Sequence, residues 1–132
     1  SAATGAAVPP WGPAAPLLGA LDVRQRNALL CAGTTRRLDE GEAQMVFGAL
    51  VLLSGSAHSD AGVEVPLGVL ADWRRCLSSE LPPTRLRATS DCVLVEITPP
   101  DLEGLARAHP EEAAAIYLQL ARVGAGPGGT LG

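Results

Sequence analysis

Four arginines crowd the middle of the chain: Arg74 and Arg75, and further on Arg85 and Arg87. Guanidinium groups suit phosphate or carboxylate ligands, because their planar fork donates paired, charge-assisted hydrogen bonds. Whether they can do so depends on where the backbone aims them. Arg85 and Arg87 alternate with Thr84, Leu86 and Ala88 in a stretch that reads as a strand, and alternate strand residues share a face. With Leu86 and Ala88 inward, both arginines point to solvent. Arg74, Arg75 and Cys76 fall in Ala71–Ser79, a segment long enough for one or two helical turns, which Leu81-Pro82-Pro83 stops. One of Arg74 and Arg75 pointing inward is the minor alternative. The expectation is an interior without a cation.

The other reactive side chains do not assemble into a catalytic pattern. Ser54-Gly55-Ser56 is not the GxSxG nucleophile turn, no P-loop occurs, and the Gly-rich run Gly124–Gly129 follows a helix and leads into no other element, so it does not read as a phosphate cradle. Asp39, Glu40 and Glu42 surround a turn but lack the alternating ligand spacing of a calcium loop, so they read as solvated. His58 and His109 are far apart without ligand-like spacing, and the paired histidines and carboxylate of a cupin-type enzyme are missing. Cys31, Cys76 and Cys92 form no CxxC pair and read as reduced, mostly buried thiols. The expectation is a protein with no catalytic residues, no metal and no cofactor.

The elements that must position these groups follow from pattern. Residues 1–16 are small and Pro-rich and read as a flexible leader, with Trp11 the exception; 124–132 is a Gly-rich tail; one domain spans 17–123. Leu17, Leu18 and Leu21 open a short turn, Asp22 caps a helix, and Gly33 ends it as a left-handed residue. Thr34–Leu38 reads as a strand, Asp39-Glu40-Gly41 as a turn, and Glu42–Phe47 and Ala49–Leu53 as strands. Ser56–Gly62 reads as a loop and Val63–Val65 as a brief strand. Trp73, on the short internal helix, reads as a core anchor before a lid or partner contact. Thr84–Ala88 and Cys92–Thr98 are strands joined by Ser90-Asp91. Thr98-Pro-Pro-Asp101 starts a helix through Ala108, and Pro110 opens the last one, Glu111–Val123, whose apolar face takes in Ala115, Ile116, Leu118, Leu120 and Val123. Short strands with turn signals between them, flanked by helices, predict an antiparallel β-roll.

In that order the segments resemble the cyclic nucleotide-binding domain family, the β-roll of the catabolite activator type. TRLRA (84–88), DCVLVEI (91–97), DLEGLARAHP (101–110) and EEAAAIYLQLARV (111–123) are similar to the family's last two strands and closing helices. LLGALDVRQRNALL (17–30), RRLDEGEAQM (36–45) and ALVLLSGSA (49–57) resemble its front half, with the hairpin between the last two shortened. The resemblance implies a mainly β fold, a jelly-roll-like roll with an N-terminal helix and two C-terminal helices. It also implies where a ligand would sit: a Gly-Glu on the short helix would hold the ribose, and a Pro-Arg before the next strand would hold the phosphate. In this chain Arg75-Cys76 falls at the first and Leu81-Pro82 at the second, so the family's Glu and Arg are both missing, and Pro82 also lacks an amide donor. The pocket, if any, would be lined by Arg74, Arg75, Cys76, Pro82, Pro83 and Thr84.

The expected function is a degenerate member of that family: a cytoplasmic, non-catalytic regulatory or protein-interaction module. Arg85, Arg87 and Trp73 form the candidate partner surface, facing another protein or the rest of a larger polypeptide. A net charge of −4 argues against nucleic acid or an anionic membrane as partner, and no secretory signal or membrane-length apolar run occurs. The alternative is a small-molecule sensor that takes a cyclic nucleotide, weakly, or another anion in a rebuilt pocket.

Overall fold

The structure, a computed structural model, describes residues 17–60 and 62–124. The expectations for Trp11, the leader and the tail beyond Gly124 lie outside them. A short helix α1 (Leu17–Ala20) leads into α2 (Val23–Ala32). Asp22 caps α2: its carboxylate accepts from the Gln25 amide at 2.8 Å, and the Gln25 side chain accepts from the Asp22 amide at 3.1 Å. The strands follow: β1 (Thr34–Leu38), β2 (Ala43–Val46), β3 (Ala49–Ser54), β4 (Ala57–Ser59), β5 (Leu70–Ala71), β6 (Thr84–Ala88) and β7 (Cys92–Ile97). A 3-10 turn at Trp73–Cys76 separates β5 from β6, and α3 (Pro99–Ala108) and α4 (Pro110–Gly124) close the chain.

The strands form two antiparallel sheets, ordered β1-β7-β3-β5 and β2-β6-β4. Alternation along the central strands explains the two cores. Leu50 and Leu52 of β3 join Leu38, Val46, Leu86, Ala88, Cys92 and Leu94 between the sheets. Ala49 and Val51, one residue out of phase, join Val95 and Ile97 on the other face, against Leu29, Leu102, Leu105, Ile116 and Leu120 of the helices. The run Ala49–Leu52 is apolar because β3 is covered on both sides there, while Leu53, next along, is exposed. The antiparallel β-roll with flanking helices read from the sequence is the architecture found.

Four local readings need correction. Gly33 is not left-handed: its φ is −82°. It is glycine because a Cβ there would lie 2.6 Å from the Glu96 carbonyl, so α2 can meet β7 only without a side chain. The Ser56–Gly62 segment is not all loop, since Ala57–Ser59 pairs with β6, Ala57 opposite Ala88. Val63–Val65 is reduced to a single bridge between Glu64 and His58. On α4 the buried residues are Ala113, Ile116 and Leu120, whereas Leu118 faces out, 51% exposed.

Helix α3 begins as expected, with Pro99 and Pro100 in its first turn and the Asp101 carboxylate accepting from the Thr98 amide at 2.9 Å. The Asp39–Gly41 turn is also as read, with Gly41 at φ +87°. Gly55, at φ +82°, packs directly on the Asp91 carbonyl, which fixes the Ser-Gly end of β3 against the β6–β7 turn.

Candidate functional site

The residues singled out between positions 70 and 87 divide into three groups. Strand β5 ends at Ala71, between the sheets, and the chain then turns sharply at Asp72, a non-glycine residue held at φ 53°, ψ 54°. Asp is among the few residues that enter this left-handed region at modest cost. The reversal leads into the 3-10 turn, closed by the Arg75 amide donating to the Asp72 carbonyl at 3.0 Å. Trp73 and Cys76 pack toward the helices: Trp73, half-buried, lies against the helix-side core, as a core anchor should, and Cys76 belongs to that core. Burial pushes the Cys76 thiol up to about 12, so it is a packing group and not a nucleophile.

Arg75 lies inside the fold, contrary to the expectation of an interior without a cation. It is 6% exposed. A buried guanidinium requires a counter-charge and hydrogen-bond acceptors, and both are present. Its Nε donates to the Asp72 carboxylate, itself buried, and its Nη2 donates to the Thr84 hydroxyl at 2.7 Å. The side chain therefore ties the turn after β5 to the first residue of β6, in the opposite sheet. Its Nη1 is buried with no partner, as is the indole Nε1 of Trp73.

Of the six residues proposed to line a pocket, the structure joins Arg75 to Thr84 and leaves the others apart. Arg74, Pro82 and Pro83 are exposed, and Cys76 turns to the helices. Arg85 and Arg87 project from β6 to solvent, as the alternation requires. Arg87 donates to the Gly41 carbonyl at 2.8 Å, and Arg85 stands 3.9 Å from Asp60.

Asp72 escaped the sequence reading as a site residue. Its signal was the i,i+3 spacing to Arg75 on a predicted helical turn, which brings two side chains onto one face. The groove between α2 and α3 was also missed. Its volume is about 330 Å³, and Ala28, Cys31, Ala32, Gly104, Ala108 and His109 are among the residues that line it. None of the hollows described on the surface is lined by Arg75 or Thr84. Among the described residues no three His, Cys, Asp or Glu side chains are placed to hold a metal ion, and no helix is long and apolar enough to cross a membrane.

No protein-family model matches the chain, and no curated protein sequence matches it. Solved structures do match its fold. The N-terminal domain of a transcriptional regulator from Streptomyces coelicolor A3(2) is 23% identical over 81% of this chain and 85% of that one, with a TM-score of 0.51. A structure described with a cyclic-GMP-dependent signalling pathway that regulates bacterial phytopathogenesis is 17% identical, over 78% of this chain and 94% of that one, also with a TM-score of 0.51. The catabolite activator protein of Thermus thermophilus is 21% identical over 82% of this chain, which spans 57% of that longer chain, with a TM-score of 0.48. The likeness is one of fold: two antiparallel sheets in a roll with flanking helices, cyclic nucleotide-binding-like as the order of segments implied.

Proposed function

We propose that this chain is a non-catalytic regulatory or protein-interaction module, working in the cytoplasm, whose cyclic nucleotide-binding-like roll has lost cyclic nucleotide binding and serves as scaffold. The observation that carries this reading is the pairing of Arg75 with Asp72. A cyclic phosphate carries one negative charge. Placed beside a pair that is already neutral, it would leave a net negative charge in the interior, which low-dielectric surroundings penalise heavily. Pro82 and Pro83, the two residues before β6, have no amide N–H to offer an anion. Arg85 and Arg87 stand on the outer face of β6, where they can meet an acidic surface of another protein or of a longer polypeptide.

The alternative, a sensor with a rebuilt pocket, draws on the unpartnered Nη1 of Arg75. Calorimetry separates the two. Titration of the pure chain with cyclic AMP and cyclic GMP should give no binding heat at ligand concentrations up to the millimolar range. Micromolar binding of either nucleotide overturns the scaffold reading.

A further inference from the structure

We infer that Asp72 is a built-in counter-anion: its carboxylate occupies the anion seat of Arg75, and the seat passes to a small external oxyanion when that carboxylate is removed. The inference deepens the reading above, since it names what keeps the interior cation closed to ligand.

Three observations lead to it. First, the seat is built and not incidental. Arg75 is held at two points, by Asp72 on Nε and by Thr84 on Nη2, within a turn closed by its own backbone hydrogen bond. The Thr84 contact remains to orient the guanidinium when the Asp72 carboxylate is lost. Second, the seat is not saturated. The buried Nη1 has no acceptor, so donor capacity beyond the Asp72 contact already exists for an anion with several oxygens. Third, Asp72 is the one carboxylate within ion-pair distance of Arg75 among the described residues, and it makes that pair from a left-handed backbone. Glycine would take φ 53° at less cost. A strained position occupied by a charged residue points to a requirement for its side chain. Removing the carboxylate leaves a buried and unpaired cation, and a singly charged oxyanion with several acceptor oxygens, such as dihydrogen phosphate, balances it.

The test uses Asp72→Gly in the full chain, a substitution that suits the backbone and deletes the carboxylate together with its methylene. Thermal unfolding is followed with increasing inorganic phosphate, and with chloride at equal ionic strength. Wild type supplies the baseline for the general stabilising action of phosphate on folded proteins. The expected result is a phosphate-specific rise in the melting temperature of the variant beyond that baseline. Saturation should follow single-site linkage, roughly an elevenfold shift of the unfolding equilibrium at ten times the dissociation constant. In Asp72→Gly/Arg75→Met the extra rise should vanish. Asp72→Asn, which keeps the side-chain volume and tolerates the left-handed region, is titrated in parallel in case the glycine variant does not fold.

A folded variant that responds to phosphate no more than wild type overturns the inference, and so does an extra response that survives loss of Arg75. Failure of both single variants to fold even in phosphate also overturns it, because the anion then cannot replace the carboxylate. Cyclic nucleotide binding by wild type would refute the scaffold reading alone. Absence of the phosphate response in the variants would refute this inference alone.

Discussion

Glu96 is the side chain whose loss should damage the fold most for its size. It lies on β7, is 2% exposed, and shares the face of Leu94, toward the space between the sheets. Its Oε2 accepts from the amides of Phe47 at 2.6 Å and Gly48 at 3.0 Å, the two residues that carry the chain from β2 in one sheet to β3 in the other. Its Oε1 accepts from Arg36 Nε at 2.9 Å. The magnitudes decide which contact matters. Hydrogen bonds to a charged group contribute about 1.5–3 kcal/mol each, and a buried amide left without an acceptor costs a comparable amount. Arg36 is 37% exposed in its side chain, so water can replace its carboxylate partner, whereas Glu96, 3% exposed, would keep a buried oxygen without that donor; the pair is worth about 1–2 kcal/mol. Glu96→Ala should therefore cost about 3–5 kcal/mol, much of the 5–15 kcal/mol typical of a domain. Glu96→Gln keeps one carbonyl for the two amides and loses the charge, for about 1–2 kcal/mol. Arg36→Ala should cost about 1–2 kcal/mol, well below Glu96→Ala. Urea unfolding followed by circular dichroism gives all three values if the slope with denaturant is unchanged. The reasoning is refuted if Arg36→Ala costs as much as Glu96→Ala, because the ion pair and not the sheet crossover would then be the source of stability. Equal losses for Glu96→Gln and Glu96→Ala would refute the role given to the two amides.

Two further outcomes concern the thiols. Cys31 is exposed while Cys76 and Cys92 are buried, so brief alkylation of the native protein should add one adduct, on Cys31, and three only after unfolding; fast labelling of Cys76 in the native state would contradict its placement in the core. Burial raises the Cys76 thiol from 9.0 to about 12, so the fold favours its protonated form. That contribution is complete below about pH 9 and fades as the pH rises toward 12, amounting to about 4 kcal/mol across the window. Stability measured from pH 8 to 11 should fall less steeply in Cys76→Ala than in wild type, and parallel slopes would show that this thiol does not govern the alkaline limb.

What the sequence made legible was whatever it encodes locally. The helix start at Thr98–Asp101, the turn at Asp39–Gly41 and the strands β6 and β7 each carry their own alternation or cap within a few residues, and the structure has them where the pattern put them. β4 was missed because three residues are too few to show a period; what makes it a strand is its pairing with β6, some thirty positions away. Gly33 was given the wrong reason for the same cause: the close approach that demands glycine comes from β7, not from the end of α2.

Arg75 shows the deeper limit. Arginine is among the residues least often buried, so composition and alternation both send it to solvent. Its placement inside is decided by a three-part arrangement: a left-handed Asp72 that turns the chain inward, an i,i+3 carboxylate that neutralises the charge, and a threonine from the opposite sheet that accepts another N–H. Only the second part is a spacing visible in the sequence. A cation can therefore persist in the interior of a roll, provided the chain brings its own anion, and an unmatched motif is a poor guide to the charge inside. The mismatch at the expected Pro-Arg left the expectation of an interior without a cation; the pair at Asp72 and Arg75 makes that interior charged and balanced.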